Sequence, residues 1–218
     1  MKNLFYLLLC LIAGTSCSQA DPTKPWNKGA FETQKYRNLF AEMGYKQADI
    51  DSKLQSVFDG VFYGPDKVYF EVGDSMAYIS DIKNHDVRTE GMSYGMMVCV
   101  QMNKKEEFDR LWKWVRTYMY IENGPNKNYF VWSCGLDGSK NADGPAPDGE
   151  EYFAMALFFA SARWGDGEGI FNYGAEAKAI LRECVHKGEA SHPGEPMWEP
   201  SNKLIKFVTN MDFSDPSY

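Results

Sequence analysis

The stretch KEEFDRLWKWVRTYM, residues 105–119, decides the fold class of this chain. Its large apolar side chains recur at helical spacing and form one stripe: Phe108, Leu111, Trp112, Val115 and Met119. A helix with such a stripe buries it against other secondary-structure elements, most simply against helices of the same kind. The stretch therefore predicts a fold in which helices pack on helices.

The same helical period appears on both sides of this stretch. It predicts helices over five further ranges: Phe31 to Met43, Ala48 to Phe58, Asp86 or Thr89 to Met102, Gly149 or Glu150 to Trp164, and Tyr173 to Lys187. Gly44 is expected to end the first of these helices and Gly60 the second. Residues 61–82 differ, because a turn signal precedes a β-prone run, and they predict a long loop with a short hairpin. The fold class is therefore all-α, built from helical hairpins.

Length and composition limit the classes of function. A chain of 218 residues with 44% hydrophobic residues can form the packed core of one domain. Its 23 Lys and Arg residues against 30 Asp and Glu give a net charge of −7, which argues against nucleic acid as a partner. Six Trp and thirteen Tyr residues supply either core packing or flat platforms on which sugars stack.

The first residues predict an export signal. Met1-Lys2-Asn3 is a short positive start, and the apolar run from Leu4 to Ala13 is too short to span a bilayer. Residues 14–17, GTSC, resemble a relaxed bacterial lipobox, so residues 1–17 are predicted to be a signal peptide and Cys17 to be acylated. The alternative is an ordinary secretion signal cut near Ala20. Both interpretations predict export to the periplasm or cell surface, and residues 18–28 are expected to form a polar tether.

Three cysteines remain after the signal, namely Cys99, Cys134 and Cys184. The sequence has no CxxC motif, and its three histidines are scattered, so no metal and no cofactor is predicted. Buried free thiols are the expected state, because a small thiol packs like an apolar group. A single disulfide is the alternative.

The first stretch with candidate chemistry is DVRTEGMSYGMM, residues 86–97. Glu90 lies in the first turn of a predicted helix, and Tyr94 follows one turn later on the same face. Gly91 and Gly95 are expected to leave open space beside the carboxyl group, and its desolvation would suit a general acid. The alternative makes Glu90 a capping-box residue beside ordinary helix-packing glycines.

The second stretch is NADGPAPDGEE, residues 141–151, at the start of another helix. Asp148 is either the N-cap of that helix or a carboxylate of a site. The spacing lacks the acidic pattern of a calcium-binding loop. An aromatic run, YFVW, occupies residues 129–132 just upstream. Carboxylates that face aromatic platforms in a groove are what sugar hydrolysis needs.

Both stretches resemble one known family. TEGMSYGM at residues 89–96 is similar to the acid motif of glycoside hydrolase family 8, and APDGEEYFAMAL at 146–157, followed by Ala160 and Trp164, resembles that family's second signature. The resemblance runs from Trp26 to the chain end, with Glu150 where the signature usually has Asp. Residues 63–65 and 81–97 are similar to the reducing-end xylose-releasing exo-oligoxylanases of this family.

The resemblance implies an (α/α)6 barrel and an inverting mechanism on β-1,4-linked glycans such as xylan, cellulose or chitosan. It implies that Glu90 is the general acid and that Asp148 is a second acidic residue that holds and polarises the sugar. Tyr94 and Trp132 are predicted to contact the sugar. The expected activity is release of xylose from the reducing end of xylo-oligosaccharides, with an endo-acting β-1,4-glucanase or a chitosanase as the alternative.

Barrels of this family have more helices than are predicted here, and their general base lies beyond the matched region. We therefore expect residues 29–218 to form roughly the first half of the barrel, with the base beyond Tyr218, and we expect these residues alone to hydrolyse little. Two alternatives are not enzymes. One is a surface lipoprotein that binds oligosaccharides through Trp132, Tyr129 and Tyr94, and the other is a structural helical domain of an envelope complex. The sequence makes no prediction of the oligomeric state.

Overall fold

The computed structural model describes residues 37–210. The predicted signal peptide (1–17), the predicted tether (18–28), the start of the helix predicted from Phe31 and residues 211–218 lie outside the described part. Helices dominate the part that is described, and two small antiparallel sheets connect them. The predicted all-α class is confirmed.

Six α-helices occur between residues 37 and 210. They are α1 (Leu39–Glu42), α2 (Gln47–Tyr63), α3 (Thr89–Gln101), α4 (Lys105–Trp114), α5 (Pro147–Trp164) and α6 (Tyr173–His186). A π-helical turn, Val115–Met119, continues α4, and a 3-10 turn, Gly169–Phe171, precedes α6. The strands are β1 (Tyr69–Val72), β2 (Met76–Ile79), β3 (Asp86–Arg88) and β4 (Ser133–Gly135). β1 pairs with β2, and β3 pairs with β4.

The helix α2 is longer than the sequence predicts. It continues through Gly60 to Tyr63, and the N–H of Gly64 donates to the carbonyl of Gly60 at its end. The prediction that Gly60 ends this helix is therefore wrong. A glycine inside a helix costs only about 1 kcal/mol relative to alanine, which is too little to stop a helix that buries Phe58 and Phe62.

The hairpin predicted within residues 61–82 is confirmed. Tyr69 of β1 lies opposite Ile79 of β2, and both side chains are buried. β2 packs against α4, so the hairpin closes one side of the helical core. The β3–β4 ladder was not predicted, because each of its strands has three residues and neither shows a strand-like run in sequence.

The helices α3 and α5 pack side by side, while α4 packs on α3 and α6 packs on α5. Aromatic side chains fill the space between them. Trp112 of α4 lies 5.8 Å from Phe130 and 5.9 Å from Phe153 between ring centroids, and its indole N–H donates to the carbonyl of Ile170 at 2.7 Å. The stripe that predicted the fold class therefore forms part of the core.

The three cysteines Cys99, Cys134 and Cys184 are free and buried, which confirms the predicted state. Burial raises the pKa of Cys134 to about 11, and it also raises the pKa of Cys99 and of Cys184. These thiols therefore stay protonated and serve as packing groups. Among the described residues, no helix is long and apolar enough to cross a membrane.

Candidate active site

Glu90 lies at the start of α3, where a strand turns into a helix. Arg88 has extended backbone angles as the N-cap residue, and the N–H of Thr89 donates to the carbonyl of Trp132 at 3.0 Å. Glu90 is the second helical residue and is partly buried, with Oε2 3.5 Å from the hydroxyl of Thr89. Because the N-cap is Arg88 and no capping side chain bonds to this helix end, the capping-box interpretation of Glu90 is wrong.

The glycines that follow Glu90 pack against a strand. A Cβ atom on Gly95 would come within 2.7 Å of Ile79 Cγ1 and 3.2 Å of Leu111, and one on Gly91 would also meet Ile79. The expectation that these glycines leave open space is therefore wrong. Gly95 allows α3 to approach β2 closely, whereas a Cβ atom on Gly91 would make an ordinary contact at 3.5 Å.

Asp148 lies at the start of α5. The N-cap of this helix is Ala146 and Pro147 is its first residue, a position that suits proline because the missing N–H has no helical partner there. Asp148 is therefore not the N-cap, which corrects one of the two interpretations of it. Its side chain is partly exposed, and Oδ1 accepts a hydrogen bond from the N–H of Gly149 at 3.0 Å.

Contacts between α3 and α5 bring the two carboxyl groups to the same end of the molecule. Gly149 lies directly against Thr89, so that Glu90 and Asp148 each adjoin this contact. Tyr94 lies edge-on to Tyr152, with ring centroids 5.0 Å apart. Desolvation raises the pKa of Tyr94, and the nearby Tyr152, Asp148 and Glu90 raise it further.

Tyr152 is a site residue that the sequence analysis missed. It follows Asp148 by four residues, just as Tyr94 follows Glu90 by four residues. Side chains four apart share a helix face, so each helix presents one carboxyl group and one phenol to the site. This repeated spacing is the signal that could have identified Tyr152.

Trp132 lies beside the start of α3. Its side chain is 37% exposed, and the guanidinium group of Arg88 lies 5.3 Å from the ring centroid. Arg88 is held in turn by Asp86 at 3.0 Å and Asp81 at 3.3 Å. The indole is thus supported by a fixed cation and remains open to a ligand.

Tyr129 does not belong to the site. Its side chain is completely buried, and its hydroxyl lies within hydrogen-bond distance of the carbonyls of Glu183 (3.0 Å) and Glu195 (2.9 Å). The expectation that Tyr129 forms part of a sugar platform is therefore wrong. In the aromatic run at residues 129–132, only Trp132 is exposed.

The geometry combines two carboxyl groups, two phenols and one indole at neighbouring helix ends. Carboxyl groups can deliver a proton or stabilise positive charge, and aromatic rings stack on the apolar faces of sugars. Within residues 37–210, no group of three His, Cys, Asp or Glu side chains is placed to hold a metal ion. The four residues predicted for the site, Glu90, Asp148, Tyr94 and Trp132, lie together.

The structure is thus a domain of helical hairpins that carries acidic and aromatic side chains beside the starts of α3 and α5. The chain belongs to glycosyl hydrolases family 8, whose pattern matches residues 77–218. It is 55% identical over 198 residues to the reducing end xylose-releasing exo-oligoxylanase of Halalkalibacterium halodurans, a match that covers 89% of this chain and 51% of that protein. Endoglucanase A of Acetivibrio thermocellus is 31% identical over 140 residues, or 62% of this chain and 28% of that protein.

A solved structure shows the same fold. Rex8A from Paenibacillus barcinonensis, complexed with xylose, is 54% identical and superposes with a TM-score of 0.79 over 87% of this chain and 51% of that one. This similarity confirms the predicted helices of the family's (α/α)6 barrel. The chain spans about half the length of the curated relatives it matches.

Proposed function

We propose that this protein is an inverting glycoside hydrolase that acts on β-1,4-linked xylo-oligosaccharides and releases xylose from the reducing end. The observation that carries the proposal is that three separate stretches of the sequence meet at one end of α3 and α5, and these stretches carry Glu90 with Tyr94, Trp132, and Asp148. Identity of 55% to an exo-oligoxylanase, against 31% to an endoglucanase, supports xylo-oligosaccharides over the endo-acting alternative.

In this proposal Glu90 is the general acid that protonates the leaving glycosidic oxygen. Its carboxyl group is only partly buried and can reach a ligand. Asp148 holds the sugar at the scissile bond. One of its oxygens accepts the N–H of Gly149, and the other is available for a sugar hydroxyl and for the positive charge that develops on the ring. Trp132 and Tyr94 contact the sugar rings.

An inverting enzyme also needs a second carboxyl group as general base, about 6.5–9.5 Å from the acid, so that a water molecule fits between them. We expect this base in the part of the relatives' length that the present chain does not span. Experiments on activity therefore use the natural full-length gene product.

We also propose that the protein is exported and lipid-anchored. The support is the sequence of residues 1–17, a positive start and a short apolar run that ends in GTSC. Cells that express the protein are grown with radiolabelled palmitate, and label is expected in the wild type and absent from Cys17→Ser. Label that persists in Cys17→Ser contradicts acylation at this residue.

The activity is tested on xylotriose that carries 13C at C1 of its reducing-end residue. The expected first product is labelled free xylose, and NMR should show the α-anomer of the new reducing end before mutarotation. Label that appears in xylobiose would contradict reducing-end release, and internal cleavage of long xylan chains in a parallel assay would support the endo-acting alternative. Binding without turnover would support a carbohydrate-binding lipoprotein, and the absence of both binding and turnover would support a structural domain.

A further inference from the structure

Glu150 is a fully buried acid two residues after Asp148. Its Oε1 atom accepts a hydrogen bond from the backbone N–H of Phe130 at 2.9 Å. Its Oε2 atom is also buried and has no hydrogen-bond partner among residues 37–210. Residues two apart on a helix do not share a face. Asp148 can therefore face the site while Glu150 points into the core.

The hydrogen bond from Phe130 links Glu150 to the remaining site residues. Trp132 follows Phe130 by two residues, and its carbonyl accepts the N–H of Thr89 at 3.0 Å. Thr89 directly precedes Glu90 in α3. One buried side chain thus joins the helix that carries Asp148 to the segment that carries Trp132, and through that segment to the helix that carries Glu90.

We propose that Glu150 is a positioning residue of the candidate active site, where its buried carboxyl group holds the segment of Phe130 and Trp132 against the start of α5. Its effect on sugar binding rests on the proposed function. Its effect on the position of Trp132 does not.

The surroundings of Glu150 favour the protonated form. Burial raises the pKa of its carboxyl group to about 8 and outweighs the hydrogen bond from the Phe130 N–H, which lowers the pKa, while the negative charges of Asp148 and Glu151 on the same helix raise it slightly further. The groups that face it from other elements are Tyr129, beside Phe130, and Cys184 of α6, and neither is a cation. Loss of the proton would place an uncompensated charge in the core, a state that the protein can relieve only by moving the segment or admitting water.

The position of Trp132 can be followed directly by fluorine NMR. The full-length protein is labelled with 5-fluorotryptophan, and the Trp132 resonance is assigned as the one lost in Trp132→Phe. In the wild type this resonance is expected to shift with a midpoint near pH 8. In Glu150→Gln, which keeps an acceptor oxygen but cannot ionise, it should stay at its low-pH position throughout. In Glu150→Leu, which has no acceptor for the Phe130 N–H, it should be displaced at every pH.

The matched control is Glu151→Gln, which removes a carboxylate from the neighbouring residue of the same helix. Glu151 is not fully buried and accepts a hydrogen bond from the indole N–H of Trp198. This variant should still titrate, with a midpoint slightly below that of the wild type because one negative charge near Glu150 is gone. If the Trp132 resonance titrates unchanged in Glu150→Gln, the proposal is overturned. The Gln variant decides this even where Glu150→Leu does not fold.

A second measurement connects the position of Trp132 to the sugar. Calorimetry with xylotriose is done at pH 6 and pH 9 on Glu90→Gln, in which residue 90 cannot titrate, and on the double variant with Glu150→Gln. Affinity should be lost at pH 9 in the single variant and retained in the double variant. An equal loss in both overturns the positioning role. Absence of binding at any pH contradicts the proposed function, and the fluorine resonance still decides the role of Glu150.

Discussion

Gly149 lies so close to Thr89 that a Cβ atom at residue 149 would come within 2.5 Å of the Cβ and Oγ1 atoms of Thr89. Only a residue without a side chain fits between the two helices at this point. Since Glu90 follows Thr89 and Asp148 precedes Gly149, this contact determines how closely the two carboxyl groups can lie to each other. The candidate site thus depends on a packing glycine that carries no chemistry itself.

Replacement of this glycine tests that dependence. Gly149→Ala should force α3 and α5 apart, lower the free energy of unfolding by about 1–3 kcal/mol and weaken xylo-oligosaccharide binding. The control is Gly60→Ala in α2, where nothing lies within 4 Å of the new methyl group and stability should rise by about 1 kcal/mol. Chemical denaturation and calorimetry measure both effects. Similar behaviour of the two variants would contradict the close contact.

The role of Glu90 as an acid is tested by Glu90→Gln in the full-length protein. The amide cannot donate the catalytic proton, so turnover of xylotriose should fall by about 100-fold or more, while the affinity for xylotriose changes little. Glu106→Gln is the control, because Glu106 is exposed and forms a surface ion pair with Arg110. Turnover should be unchanged there. Wild-type turnover in Glu90→Gln would remove this residue from the mechanism.

Trp132 is expected to provide the main stacking surface for the sugar. Trp132→Ala should weaken xylotriose binding by about tenfold, which corresponds to the loss of one aromatic contact. Tyr45→Ala removes a more exposed aromatic side chain from the turn after α1 and should leave the affinity unchanged. Isothermal titration at pH 6 compares the two variants. An unchanged affinity in Trp132→Ala would place the sugar elsewhere.

The helices and the site residues could be predicted because their signals are local. The stripe of Phe108, Leu111 and Trp112 recurs with the period of an α-helix, so it predicts a helix and no other element. The motifs around Glu90 and Asp148 place each acid in the first turn of a helix, and the structure agrees.

Apart from the helix ends at Gly60, Glu90 and Asp148, the errors concern partners that are remote in sequence. Whether Gly95 leaves a gap or meets Ile79 depends on a hairpin that precedes it, and whether Tyr129 is a platform or a core residue depends on Glu183 and Glu195. The burial of Glu150 likewise follows from the path of the segment at Phe130. Periodicity in one segment contains no information about such contacts.

The burial of Tyr129 leads to a prediction that separates stability from binding. Tyr129→Phe removes the buried hydroxyl that lies within hydrogen-bond distance of the carbonyls of Glu183 and Glu195. Both carbonyls lose this donor, so the free energy of unfolding should fall by about 1–2 kcal/mol. Sugar affinity should not change. Tyr94→Phe is the counterpart, because Tyr94 is 48% exposed at the site: it should weaken binding and change stability by less than about 0.5 kcal/mol. A loss of affinity in Tyr129→Phe would mean that its hydroxyl group acts in the site.

The buried carboxyl group of Glu150 makes stability depend on pH. Its pKa is raised from 4.5 to about 8 in the folded protein, so between these values the folded state holds a proton that the unfolded state has lost. The contribution of this group to the free energy of unfolding is therefore at its full value below pH 4.5. As the pH rises, this contribution decreases by at most about 1.4 kcal/mol per pH unit, and above pH 8 it levels off. Glu150→Gln should lack this component, so urea denaturation at a series of pH values should show a shallower decline for the variant. Parallel stability curves would mean that Glu150 is ionised in the folded protein.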